Sequence, residues 1–465
     1  MPTNFRVNSV LSRLIMLEFA GVDMNVRTGT GTQLESAGAI HSGALEQTVQ
    51  WRLLTRVAFR FAFSYFLLYN VSTFIDLFPF TDAMAEKYEQ VWQRLVPWIG
   101  GHVLHLAHTV TIFSNGSGDT TYDYVKLFPQ IAIAVIATLA WSILDRRRPN
   151  YRVLHQWFVL LMRIALGATM VSYGAVKVFK SQFPDPSLAR LMQRYGDSSP
   201  MGLLWTFMGA SKTYTVFAGG VEVLGGLLLF IPRLTTLGAL VSMGALANIF
   251  ILNMSYDVPV KLYSFHLLLM AVILAAPDLR RLADFFLFHR QAQLPVCSPS
   301  FRRKWANWAL LGIQMLVIGY SSIISFVHAH QAFTTDNARP VLYGIWSVDE
   351  FSLNGQLMAA DTTNVDRWHR LIVDSFTISI QSNDGAIDRY GSKIDIPGKK
   401  LVLTKRDDPE HPVTFNFSNP QTDSMLVEGD AGNRHIRIKL HRIPAPTFLL
   451  NTRGFHWINE YPYNH

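Results

Sequence analysis

The chain has 465 residues, of which 49% are hydrophobic and only 16% charged, with a formal net charge of +8 and a positive mean hydropathy of +0.19. That length suggests two or three domains, and an apolar bias concentrated in segments is the pattern of spanning helices. The arginines gather at the ends of those segments, where they orient helices, so the positive balance does not indicate a nucleic-acid partner. A single cysteine, Cys297, excludes an internal disulfide and a cysteine-based metal cluster.

Residues 1–50 read as a disordered tail. The apolar stretch 11–20 is too short to span and is interrupted by Arg13 and Glu18, while 28–43 is rich in Gly, Thr and Ser. Met24 is an alternative start. Seven spans are predicted, at about 58–77, 124–144, 154–176, 214–231, 234–252, 262–276 and 305–326, each near the roughly 20 apolar residues a bilayer core requires. They divide the chain into an amino-terminal membrane region (51–153), a helical core (154–290) and a basic link with the last span (291–333). Arginines precede the first span and fall in alternate links, at 146–148, 233, 280–281 and 302–303. By the positive-inside rule the amino terminus is cytoplasmic and the carboxyl terminus outside. A helix over 91–113 is predicted to lie on or dip into the membrane, and a short amphipathic helix is predicted over 187–195.

From 341 to 465 the pattern changes to period two, with strands predicted at 377–381, 401–404, 413–417 and 435–440 and turn signals at 383–385 and 429–432. Short strands with regular turns predict an extracytoplasmic antiparallel β-barrel or sandwich. Gly344-Ile-Trp346 resembles the Gly-x-Trp of lipocalin-like barrels, in which the Trp plugs one end; ordinary core packing is the other reading. The aromatic ending 453–457 is expected to dock this domain on the helices.

The polar segment Asn253-Met-Ser-Tyr-Asp-Val-Pro-Val-Lys261 joins two strongly apolar ones. Ionisable groups so near hydrocarbon mark a site by default. At about 1.5 Å per helical residue, Arg163 and Glu222 each lie roughly 12 Å inside their spans and are expected to pair, whether structurally or in a site. Lys177, Asn248, Asn253, Asp257, Lys261 and His266 all fall near the outer face, with Tyr256 among them. A desolvated lysine there can act as a base and a histidine as a proton relay. Snorkelling and interhelical hydrogen bonding are the structural readings of the same residues. His102, His105 and His108 cannot share one narrow helix face, and an interfacial helix accounts for them better than a metal site. Residues 115–120 lack the context of a phosphate loop and predict a turn capping the second span.

Tyr173-Gly-Ala-Val-Lys-Val-Phe179, the Gly-rich segment around Glu222 ending in Ile231-Pro-Arg233, and Asn253 to Lys261 together resemble the DoxX family of bacterial membrane proteins. The resemblance covers about 155–284. It implies a four-helix membrane core and, for some members, quinone-linked sulfur oxidation or redox-stress complexes. A looser similarity to quinone-using membrane carboxylase domains, in which a lysine deprotonates a hydroquinone, leaves Lys177 and Lys261 as candidates for that role. The expectation is therefore an α-helical polytopic protein of the bacterial inner membrane with a carboxyl-terminal β-domain. Lys177, Glu222, Asp257, Lys261 and His266 are its candidate catalytic residues. Asn248, Asn253, Tyr256 and Arg163 are candidates for holding a quinone. The lipid bilayer and a redox or envelope protein are the expected partners. A non-enzymatic assembly or envelope-stress factor, whose β-domain binds a partner or lipid, is the alternative. A transporter ranks third because no inverted repeat is evident.

Overall fold

The computed structural model describes residues 50–112, 116–291, 304–336, 339–359, 367–375, 377–405, 408–421, 423–444 and 448–463. The predicted flexible tail and Cys297 lie outside the described residues. The described residues 50–56 and 147–150 form one small unit. In its described part, the Trp51 amide donates to the Pro149 carbonyl at 2.9 Å and Arg56 to the Arg148 carbonyl at 2.8 Å. The rest of the chain forms the other unit, which holds everything below.

Six helices among the described residues are long and apolar enough to cross a membrane, so the protein is a multi-pass membrane protein. The expected seventh, over 58–77, is broken. Helix α1 (Leu53–Tyr69) ends at Asn70, whose side-chain amide donates back to the Phe66 carbonyl at 2.8 Å, and a short α2 (Val71–Asp76) follows. The helix expected over 91–113 is instead α3 (Asp82–His102); soon after it, His105 takes a left-handed backbone with φ of 50°. The predicted cap of the second span is present. Thr120 and Asp123 form a capping box at the start of α4 (Thr121–Leu144), with the Thr120 amide donating to the Asp123 carboxylate at 2.9 Å.

The core follows as α5 (Arg152–Val178), the short α6 (Leu188–Met192), α7 (Pro200–Ala210), α8 (Lys212–Phe230), α9 (Thr235–Ser255) and α10 (Lys261–Ala275). An amphipathic α11 (Leu279–Phe286) and a long α12 (Lys304–Asp336) complete the helices before the β-domain. Helices α5 and α8 run against each other along a seam of glycines. A Cβ on Gly174 would come within 2.6 Å of the Gly219 carbonyl, and one on Gly219 within 2.6 Å of the Gly174 carbonyl. Close backbone approach of this kind replaces the hydrophobic drive that helices lack inside lipid.

The β-domain is a closed antiparallel barrel. Strands β1 (Gly344–Leu353), β2 (Gln356–Leu357), β3 (Trp368–Val373), β4 (Thr377–Ser382), β5 (Ile387–Asp395), β6 (Lys400–Lys405), β7 (Asp408–Gln421), β8 (Ser424–Ala431) and β9 (Arg434–Ile443) occur in chain order. From β3 to β9 each strand pairs with the next, and β1 pairs with both β3 and β9, closing eight strands while the two-residue β2 hangs on the end of β1. Closure leaves no free edge. The interior is filled by side chains that include Trp346, Phe351, Leu371, Phe415, Val427 and Ile438. Trp346 stands where β1 meets β9. Its indole N–H donates to the Leu342 carbonyl at 2.9 Å and the Arg442 guanidinium lies 5.4 Å from its ring, as a lipocalin-like end plug requires.

The barrel sits on the link between α5 and α7. Asp374, in the β3–β4 turn, accepts the amides of Leu188 at 2.9 Å and Ala189 at 3.2 Å, capping α6. Ala189 packs against Ile345 and Ile372, and Arg389 donates to Gln193 at 3.2 Å. Burial holds the Asp374 carboxyl above the usual carboxylate range, against the opposing pull of its two amide donors. The ending expected to dock the barrel does not do so: Phe455 and Trp457 are exposed, Trp457 to 91%. Docking is achieved by a buried carboxylate on a short helix rather than by aromatic side chains.

Candidate functional site

A cavity of about 400 Å³ opens between α5, α8, α9 and α10, closed over by α7. Its walls are mostly apolar, and Met201, Leu204, Trp205 and Met208 of α7 form the cover. The chain follows this course because Ser199 caps α7 at the Gly202 amide with Pro200 in its first turn, and Ser211 caps α8 in turn. Lys180 fastens the cover, donating to the Gly209 carbonyl at 2.8 Å and pairing with Asp185.

Two charges face this apolar space. Lys177, on the last turn of α5, donates to the Glu222 carboxylate at 2.8 Å, and both side chains are buried. The pair expected from sequence, Arg163 with Glu222, does not form that contact. Arg163 donates instead to the carbonyls of Leu229 at 2.7 Å and Phe230 at 3.1 Å, seven to eight residues along α8 and so about 10 Å away along the helix. The antiparallel register set by the glycine seam brings Lys177, not Arg163, level with Glu222. Separate depth arguments for each helix could not reveal that register. Arg163 thus ties α5 to the exposed carbonyls at the end of α8.

The remaining candidates, expected to converge on one face, separate into three groups. Asn248 and Asn253 line the cavity with Lys177 and Glu222, and the Asn253 amide donates to Ser264 at 3.0 Å. Asp257 and Lys261 form a second group, outside the cavity lining. Lys261 donates to Asp257 at 2.8 Å, and Asp119 accepts the amides of Lys261 at 2.8 Å and Leu262 at 2.9 Å. These charges lock a turn in which Asp257 has a left-handed φ of 51°, and Tyr256 packs beside it against Val258 and Phe183. His266 belongs to a third place, buried against α1. Its ring stacks on Tyr69 at 4.3 Å, its Nδ1 donates to the Leu262 carbonyl at 2.7 Å, and its Nε2 accepts from the Tyr65 hydroxyl at 2.6 Å. A ring nitrogen bonded to a carbonyl must carry the proton, which fixes the neutral tautomer.

Sequence reasoning missed Tyr173 and Tyr263 in the cavity wall and the whole of α7. An 11-residue apolar helix falls below the length of a span, so 200–210 carried no membrane signal. The helical spacing of Tyr173 to Lys177 was the available clue, since residues four apart share a face. The Lys177 ammonium lies 5.7 Å from the Tyr173 ring.

Residues 158–253, which carry Lys177, Glu222, Asn248 and Asn253, match the family model described as DoxX. The uncharacterized protein YwoB of Bacillus subtilis (strain 168) is 33% identical over 124 residues, which make up 27% of this chain and 79% of that protein. The chain belongs to the DoxX family. No solved structure matches it. The DoxX match begins inside α5 and ends inside α9, so it contains the buried ion pair and both cavity asparagines. It stops short of Tyr256, Asp257, Lys261 and His266, and of the barrel.

Proposed function

We propose that this DoxX protein is a quinone-linked component of a membrane redox system, with the quinone headgroup held in the cavity beside Lys177 and Glu222. The observation that carries the reading is the pair itself: two opposite charges, desolvated together, facing an apolar cavity of about 400 Å³ inside the bilayer-spanning helices. Charges are kept there only at a cost, and a small number of polar groups in an apolar pocket is the usual design of a ligand site. The apolar walls suit an isoprenoid chain. Asn248 and Asn253 offer amide donors to quinone oxygens, and the Lys177–Glu222 pair can exchange protons with them. Oxidation of the bound hydroquinone would release two protons and two electrons: the protons leave one at a time, each taken by the Glu222 carboxylate and passed on to water before the next, and the electrons go to a redox protein partner. Placement of the protein in the bacterial inner membrane, with the barrel in the periplasm, belongs to the same reading.

The test is extraction and native mass spectrometry of the gently purified protein, searching for bound isoprenoid quinone. The expected result is quinone in the parent and at least tenfold less in Lys177→Met and Glu222→Gln. Quinone absent from the parent defeats the reading. Quinone kept by Lys177→Met but lost by Lys261→Ala places it at the turn instead. The exposed aromatic ending of the barrel favours a second reading, an assembly factor whose β-domain holds a partner. That reading expects a strain lacking the barrel to lose its phenotype while the cavity variants keep theirs.

A further inference from the structure

Two further vestibules approach the same pair, and both are lined by polar groups. One, of about 500 Å³, lies between α2, α5 and α12 and includes Ser172, Tyr320, Ser321 and His328. The other, of about 430 Å³, lies between α1, α4 and α10 and includes Tyr69, Ser117, Asp123 and Gln130. The first reaches water at the exposed residues Asp76, Asp82 and His328, the second at Gly116. The apolar cavity and both vestibules have just two wall residues in common, Tyr173 and Tyr263. Their rings lie 6.0 Å apart and tilted at 42°, where the three spaces meet. Tyr173 is 41% exposed despite its place on a core helix, because its ring borders these spaces rather than packed side chains. Lys177 follows one turn later on the same face, 5.7 Å from the ring.

We infer that Tyr173 and Tyr263 are the proton relay between water in the two vestibules and the buried Lys177–Glu222 pair. A phenol hydroxyl both donates and accepts, so it can hand one proton inward and take one from vestibule water, with no electron moved and no bond other than O–H and N–H made or broken. The cavity wall carries other hydroxyls, on Thr169, Tyr214 and Ser264, but none of these borders both vestibules. The relay serves the pair proposed above as the quinone site and rests on that reading for its purpose, but it operates on the empty protein.

The test therefore uses no quinone. Full-length protein in lipid nanodiscs is transferred into deuterated buffer, and hydrogen exchange at the pair is followed by infrared difference spectroscopy, the band being assigned by its loss in Lys177→Met. Tyr173→Phe with Tyr263→Phe is expected to slow exchange at least tenfold at an unchanged thermal midpoint, and each single change to slow it less. Exchange within twofold of the parent overturns the relay. If the double variant fails to fold, Thr73→Trp, which fills space common to both vestibules, serves as the second arm. Slowing by the same factor is expected there, and parent-like exchange overturns the inference. Slow exchange with no quinone in the parent would keep the relay and remove the quinone.

Discussion

The helical core and the barrel solve burial in opposite ways. The barrel fills its interior with apolar side chains and leaves most of its charges outside, as in His435 with Asp430 and Glu428, or Lys439 with Glu350. The helices do the reverse at one place, holding Lys177 and Glu222 inside and leaving a cavity next to them. Packing at the density of a crystal maximises stability and leaves no space for a ligand. A cavity with an ion pair in its wall gives up stability, and proteins retain such arrangements mainly where they bind or react. Under the proposed reading, the difference gives the chemistry to the helices and a scaffolding role to the barrel interior.

The sharpest way to break this comparison is at the pair. Glu222→Ala leaves a buried ammonium unmatched and is expected to cost about 3–5 kcal/mol, whereas Lys177→Met with Glu222→Leu removes both charges and costs far less. A double-mutant cycle of Lys177→Met, Glu222→Leu and the two together, on unfolding in detergent, reads this, and a double-variant cost equal to the sum of the two single costs would mean the charges do not couple. In the barrel, Trp346→Ala is expected to cost about 3–5 kcal/mol through its cavity, while leaving ligand retention by the helices unchanged. Loss of the ligand with Trp346 would show that the two parts do not divide the labour. A smaller effect is expected at the seat. Asp374→Ala removes the acceptor of two amides and should cost about 1–2 kcal/mol, read as faster proteolysis of the 187–199 link. The smallest is at His435, fully exposed, whose flanking carboxylates raise its pKa. Its contribution is present below the ordinary histidine value and is lost as pH rises through the raised one. The barrel's thermal midpoint should therefore fall slightly between those values, and His435→Gln should abolish the fall.

Much of this could be read from the chain. Period two announced the barrel, arginines and apolar length announced the helices, and the turn at 115–120 announced a cap, because each signal lies within a few residues. What failed to show were relations across distance. Lys177 meets Glu222 through the register of two helices, and His266 meets Tyr65 on a helix some two hundred residues earlier. That Asp119 caps the charged turn was not legible either, because it lies in a different loop. Asn70 split the first predicted span since a polar amide bonded to its own helix does not show in average hydropathy.

The Asp374 seat also bears on how the protein is made. The amides of Leu188 and Ala189 emerge from the ribosome long before Asp374, which becomes available only after α12 has been inserted and β3 has met β4. Until then the link that carries α7 is held by Lys180, at Gly209 and Asp185, without the seat on the barrel. Completion of the carboxyl-terminal barrel is thus the last step in fixing the link: a chain truncated before it would insert in the membrane without the Asp374 cap on α6.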